Sequence, residues 1–399
     1  MSFRYIKVKT KGQIEGEDLL APKLRFKEFK DELKKYKLKN IVNFYKGNNL
    51  SKSDITDNGI YPCILYGELY TKYSEIAYHI CSKTNSYTKN QFISKQNDVL
   101  IPCSGETAID ISTSTCLLED NILIGGDLNV LRPINQDGKY LSYLLCNKKR
   151  IIIAKYAQGD SIVHLYGEKI SNIDVDLPSK KEQEKIADFL SLLDKKIELQ
   201  QRRIEALKIY KRGLLHNLKS NSQNWTEYKV KNLFDITRGQ VIPKTNLKDS
   251  PTDNYIYPVY SSQTSNYGIL GYDNTYDFDG KFLTWTTDGA NAGKVFYRNG
   301  KFRCTNVCGL LHSNKNNDYI NLLTADLLNY ETPKYVSYVG NPKLMNNVMA
   351  DIKIKLPSLE VQNKISHIFA IFDNKLFIEE QKLNNLNNAK KSLLQQMFI

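Results

Sequence analysis

The stretch LPSKKEQEKIADFLSLLDKKIE at residues 177–198 returns as LPSLEVQNKISHIFAIFDNKLF at residues 356–377. Extended, residues 177–219 align with 356–398 without a gap. Leu177/Leu356, Pro178/Pro357, Gln183/Gln362, Ile186/Ile365, Asp194/Asp373, Leu207/Leu386 and Leu214/Leu393 are identical. A constant offset over that length marks a duplication, and a duplication organises everything else in the chain.

After each Leu-Pro, apolar residues fall at the alternating four and three intervals of a helix that pairs with another helix. In the first copy they are Ile186, Leu190, Leu193, Ile197, Ile204, Leu207, Leu214 and Leu218. In the second they are Ile365, Phe369, Phe372, Leu376, Leu383, Leu386, Leu393 and Met397. Gln200 and Lys211 interrupt the first seam, and Glu379 and Lys390 the second. Ser179 and Ser358 stand where they would cap the two helix starts. A one-faced amphipathic helix packed on its own domain is the alternative, but a seam this long favours helix against helix. Duplication about a pseudo-twofold axis would set the two antiparallel. Two registers compete. One overlaps the helices most fully; the other, slightly favoured, puts Lys211 opposite Glu379 and Gln200 opposite Lys390, because a buried unpaired charge costs several kcal/mol.

Working outward, the preceding segments echo each other too. Tyr36-Lys37-Leu38-Lys39-Asn40 matches Tyr228-Lys229-Val230-Lys231-Asn232, and Ile60-Tyr61-Pro62 matches Ile256-Tyr257-Pro258. Ile173–Leu177 and Ile352–Leu356 each alternate apolar and charged residues as a half-buried strand does. Short runs rich in Tyr, Ile, Val and Thr, such as 98–102 and 281–285, read as strands, while 140–156 and 319–330 read as helical. The expectation is a β-rich mixed α/β fold: globular domains at 1–178 and 220–356, and long helices at 179–219 and 357–399.

The 399 residues carry 56 Lys+Arg against 43 Asp+Glu, a formal charge of +13. That excess points to a polyanionic partner, nucleic acid being the commonest. The opening MSFRYIKVKTKG lacks the apolar core of a secretory signal, and no run is long enough to span a membrane. Seven scattered cysteines suit buried thiols in a reducing cytoplasm, and Cys304/Cys308 has no second pair at zinc-ligand spacing.

Catalytic signatures are missing. Asp288-Gly289-Ala290-Asn291-Ala292-Gly293-Lys294 has the wrong glycine spacing for a phosphate loop, with no Ser or Thr after the lysine. Asn341-Pro342-Lys343-Leu344 lacks the second proline and aromatic of an amino-methyltransferase motif. Glu380-Gln381-Lys382 has no upstream Pro-Asp, and the five histidines are dispersed. No catalytic residue, metal site or cofactor is expected in this chain.

These residues together resemble the specificity subunit of type I restriction-modification systems. The carriers are Leu177-Pro178-x4-Gln183-x2-Ile186, Leu356-Pro357-x4-Gln362-x2-Ile365, and the opening Pro22-Lys23-Leu24-Arg25-Phe26-x2-Phe29. The resemblance covers essentially the whole chain, with Val361 departing from the acidic Glu182. It implies a non-catalytic reader of double-stranded DNA, each domain reading one half of an asymmetric bipartite site. The helices, ~38 residues or roughly 57 Å long, would hold the halves apart. Two modification subunits would bring S-adenosylmethionine to methylate adenines, and motor-nuclease restriction subunits would join for cleavage. Under this reading Lys46, Lys52, Arg132, Arg238, Lys244, Lys294 and Lys343 are candidate phosphate contacts. Asn48, Tyr66, Ser104, Ser262, Gln263, Thr286, Asp288 and Asn291 are candidate base readers. The rivals are a stand-alone architectural DNA-binding protein and a coiled-coil scaffold that binds no DNA.

Overall fold

The structure is a computed structural model that describes residues 3–5, 22–159, 162–313 and 317–398. It is a mixed α/β fold in two compact units, Met1–Gln200 with Lys382–Ile399, and Gln201–Gln381.

In the first unit Lys34–Lys37 pairs antiparallel with Asp174–Leu177, Tyr36 opposite Val175. The alternation read at 173–177 is realised: Ile173, Val175 and Leu177 are buried and Asp174 is exposed. The main sheet runs in the order Val42–Lys46, Leu128–Pro133, Val99–Pro102, Thr115–Leu117, Ile76–Ala77, beside a three-stranded sheet containing Tyr61–Ile64. Helix α1, Gly138–Asn147, buries Tyr140, Leu141, Leu144 and Leu145 in the core, and Asp137 caps it by accepting from the Tyr140 amide. The long helix α2, Lys180–Ser220, begins here.

The second unit repeats this plan. Thr226–Lys229 pairs with Lys353–Leu356, Tyr228 opposite Ile354. A six-stranded sheet is built around the long pair Phe278–Thr286 and Val295–Cys304. Gly280 and Gly300 lie opposite each other in that pair, both at positive φ (114° and 105°), which only glycine adopts without strain. Beyond them Phe278, Phe282 and Phe302 close a ring cluster with centroids 5.3–5.4 Å apart. Helix α3, Leu322–Glu331, is capped by Asn321 as α1 is by Asp137. Helix α4, Leu359–Met397, follows the second Leu-Pro.

The shared glutamines now have a physical reason. Gln183 donates to the Pro178 carbonyl at 2.9 Å and accepts from the Asp137 amide at 3.1 Å. Gln362 donates to the Pro357 carbonyl at 2.9 Å and accepts from the Asn321 side chain at 2.9 Å. Both are fully buried. Each therefore ties the start of a long helix to the cap of the shorter helix beside it. Ser179 and Ser358 contribute their carbonyl oxygens, which accept from the amides of Gln183 and Gln362. Glu182 forms a buried fork with Arg25, at 2.7 and 2.6 Å, fastening the Leu24–Phe26 strand to α2. Val361, its counterpart, is exposed.

The seam positions Ile186, Leu190, Leu193, Ile197, Ile204, Leu207, Leu214, Ile365, Phe369, Phe372, Leu376, Leu383, Leu386 and Leu393 are all buried or half-buried. In the first unit Ile186 and Leu190 share a core with Leu394, Met397 and Phe398. In the second, Leu215 shares one with Ile365 and Phe369. Partner numbers fall as residue numbers rise.

The favoured register needs correction. Lys211 does not meet Glu379; it lies 2.6 Å from Asp373 and 2.8 Å from Asp326. Glu379 lies 3.4 Å from Arg203. Lys390 reaches Asp194 at 2.8 Å and Glu75 at 2.9 Å. Pairing by the seam interruptions alone overlooked Asp194 and Asp373, the identical aspartates at the seam's edge. Each satisfies a lysine of the other helix, together with an acid from the globular part.

Five cysteines are buried and all seven are free thiols, but Cys81 is exposed, unlike the expected buried set. Among the described residues no helix is long and apolar enough to cross a membrane.

Candidate nucleic-acid interface

In the first unit, three strands of the main sheet meet at one edge. Lys46 ends one, opposite Asn129 near the start of a second, and Pro102 ends the third, opposite Leu128. The chain then turns at Gly47, whose amide donates to the Leu128 carbonyl at 2.9 Å. A Cβ there would collide with the Gly125 carbonyl, so only glycine fits. Asn48 follows, donating to the Asn90 carbonyl and accepting from the Phe92 amide, both at 2.8 Å. The Gly125 amide donates to Ile64, at the end of the strand that leads to Tyr66. The Cys103 amide donates to Asp127, and Ser104 pairs with His164. Lys46, Asn48, Tyr66 and Ser104 thus belong to one connected loop cluster.

The second unit builds the same skeleton. Arg238 ends its strand opposite Gly309, and Thr286 ends another opposite Cys308. The Gly239 amide donates to Cys308, the Gln240 amide to Cys304, the Thr305 amide to Tyr260 and the Thr287 amide to Val307. Asp288 bridges to Lys343, as Ser104 does to His164. The two clusters therefore correspond place by place: Lys46 with Arg238, Gly47 with Gly239, Asn48 with Gln240, Tyr66 with Ser262, Ser104 with Asp288. Lys52 and Lys244 each open an exposed helical turn a few residues on. Gln240 is the position that sequence reasoning missed. Its signal was present in Lys46-Gly47-Asn48 against Arg238-Gly239-Gln240.

Several candidates, among them Ser104 and Arg238 of the clusters, are buried or already engaged. Arg132 lies toward the opposite end of its strand and forks onto Asp98, itself buried, at 2.8 and 2.7 Å. Its guanidinium also sits 5.0 Å from the Tyr45 ring. Ser104 and Thr286 are buried. Thr286 accepts from the Lys294 amide and donates to the Asn291 carbonyl, and Gln263 donates to the Ile269 carbonyl, so both brace their loops. Arg238 donates to Asn346 at 2.8 Å. Lys343 lies 4.0 Å from Asp288, and Asn291 is exposed. Lys294 is exposed on one side and on the other lines a cavity of about 550 Å³ with Lys211, Asp326, Asn329 and Asp373. Desolvation there holds its ammonium below the ordinary lysine value.

Behind the second cluster, Arg298 stacks 3.6 Å from the Tyr260 ring centroid and donates to the Tyr267 carbonyl at 2.7 Å. It fixes the loop that carries Ser262. Burial lowers its pKa, with Tyr260 opposing. Among the described residues no group of His, Cys, Asp or Glu is arranged to hold a metal ion.

The assemblage is a hydrogen-bonding, partly cationic loop platform on the end of a sheet, made twice with different side chains. The family model for the type I restriction modification DNA specificity domain matches residues 30–208 and again 222–388. A Mycoplasma pneumoniae protein that carries the name of a type I specificity subunit is 38% identical over 219 residues, 53% of this chain and 80% of its own. The specificity subunit of the type I restriction enzyme MpnII of that organism is 43% identical over 147 residues, 37% of this chain and 43% of its own. The crystal structure of a type I restriction-modification S subunit from M. genitalium superposes with a TM-score of 0.68 at 18% identity, covering 95% of this chain and 99% of that one. The chain belongs to the type I restriction-modification DNA specificity family.

Proposed function

We propose that this chain is the non-catalytic DNA reader of a type I restriction-modification complex, its regions 1–178 and 220–356 each recognising one half of a bipartite, asymmetric site. The observation that carries the reading is the doubled loop cluster. The skeleton is the same in both units, yet Lys46/Arg238, Asn48/Gln240, Tyr66/Ser262 and Ser104/Asp288 differ at every matched position. Identical readers in a homodimer demand a palindrome; unlike readers in one chain do not. Asn and Gln pair with adenine, Asp accepts from cytosine, and lysine and arginine serve phosphates or guanine. Residues 179–219 and 357–399 pair as an antiparallel coiled coil, a reading supported by the buried seams and the reciprocal Lys–Asp contacts. Modification subunits supply S-adenosylmethionine and the methyl transfer, restriction subunits supply cleavage, and the work is done in the cytoplasm.

The test is a domain exchange. Residues 224–355 are replaced by the corresponding segment of another family member, and the hybrid is co-expressed with modification subunits. Mapping methylated adenines should show one half of the site changed and the other retained. A change in both halves, or in neither, would contradict the reading. A scaffold that binds no DNA would give no methylated motif at all.

A further inference from the structure

One part of each loop cluster has no role in the reading above. The offset that carries Leu177 onto Leu356 also carries Gln158 onto Ser337 and His164 onto Lys343. Both pairs close a loop by reciprocal backbone bonds, Gln158 with His164 at 3.0 and 2.7 Å and Ser337 with Lys343 at 2.9 Å each way. In the second unit the loop is held at both ends, by buried Val336 and by Leu344, which has no exposed surface. The Gly289 amide donates to the Pro342 carbonyl at 3.0 Å, and the Leu344 amide to Thr287. Gly340 turns the tip at φ 73°.

Out of this braced base project Tyr338, 68% exposed, and Val339, 92% exposed. In the first unit Gly159 has φ 125°, and Ile162, 59% exposed, stands just before buried Val163. Isolated apolar residues on a surface need no explanation. An adjacent Tyr-Val pair beyond a hydrogen-bonded base does, particularly when Ile162, near the matching pair in the other unit, is also an exposed large aliphatic residue. Both loops are joined by backbone hydrogen bonds to the segments that carry Ser104 and Asp288.

We propose that these tips are wedges that insert between base steps of the bound duplex, Tyr338 and Val339 in one half-site and Ile162 in the other. This rests on the DNA-reading assignment and adds a mode of engagement to it. Apolar wedges unstack a step and bend the duplex, and an aromatic face then stacks on the base it exposes. The surroundings suit DNA rather than an apolar protein surface. Lys343 stands at the base of the loop, exposed Asn291 and Asn341 flank it, and the chain carries +13 overall.

The test uses the full chain co-purified with its modification subunits and a duplex bearing the site mapped by methylation, with 2-aminopurine at successive positions of each half. The wild-type complex should raise 2-aminopurine fluorescence at one step in each half. Tyr338→Ser with Val339→Ser should abolish the signal in one half only and weaken binding about tenfold or more, as losing one specific base contact does. Ile162→Ser should abolish it in the other half. Melting temperatures should be unchanged, since these side chains are exposed. Unchanged fluorescence and affinity would overturn the proposal. So would loss of the modification subunits from the variant complex, which would make the tips protein-binding. If the wild-type complex methylates no defined motif, the DNA-reading assignment itself fails, which is a separate outcome.

Discussion

At the scale of single residues, the two buried glutamines and the two seam lysines carry the most consequence. Replacing Gln362 with Leu would leave the Pro357 carbonyl without its side-chain donor, while the Asn321 amide would keep its bond to the Asp318 carbonyl. An unsatisfied buried polar group costs about 1–3 kcal/mol, so the melting transition of that unit should fall by several degrees in calorimetry. Gln183→Leu should do the same to the first unit. Lys390 is held by Glu75 and Asp194, and lies 5.7 Å from the Tyr143 ring. Burial penalises its ammonium, but the two carboxylates outweigh that and raise its pKa; Lys211 is raised in the same way by Asp326 and Asp373. A lysine whose folded pKa is raised stabilises the fold at neutral pH, and that stabilisation is lost as pH climbs past the ordinary lysine value of 10.5. Burial raises Asp194 and Asp326. They take a proton more readily folded than unfolded, so acid does not weaken the fold through them. Lys390→Met should cost about 3 kcal/mol at pH 7, by stranding buried carboxylates. Its melting curve should also show a smaller alkaline decline than the wild type's; an equal decline would remove Lys390 as its source.

At the scale of elements, the helices show what a linear pattern can and cannot reveal. Heptad spacing identified the buried faces of α2 and α4 correctly, since a helix turns each seam residue the same way. It misjudged the register, because the acids that meet Lys211 and Lys390 include Asp326 and Glu75, far away in sequence. A charge swap checks the observed pairing. Lys211→Asp alone should destabilise the second unit, and adding Asp373→Lys should recover part of the loss. Lys211→Glu with Glu379→Lys should recover none. Recovery by the second swap instead of the first would restore the register expected from the seams. The strand echoes were legible because Tyr36 and Tyr228 each open a pairing that closes the globular part beside Leu-Pro. The tie of Arg132 to Asp98 was not legible, because it joins two neighbouring strands and no local spacing announces it.

At the scale of the whole molecule, duplication was the most legible feature, since it is a property of order along the chain. Of the correspondence between the two loop clusters, only Lys46-Gly47-Asn48 against Arg238-Gly239-Gln240 was legible. The rest depends on which strand ends meet, and the intervening segments differ in length and sequence. Once the strands are in place, Lys46, Asn48, Tyr66 and Ser104 find counterparts one by one in Arg238, Gln240, Ser262 and Asp288. Under the proposed reading, two loop clusters on a common frame but with unlike side chains predict a target in two unlike parts. Genome-wide mapping of methylated adenine, in cells that express this chain with its modification subunits, tests that most directly. The account predicts one motif of two different short sequences separated by a fixed unspecified gap. A palindrome, or one uninterrupted sequence, would contradict it.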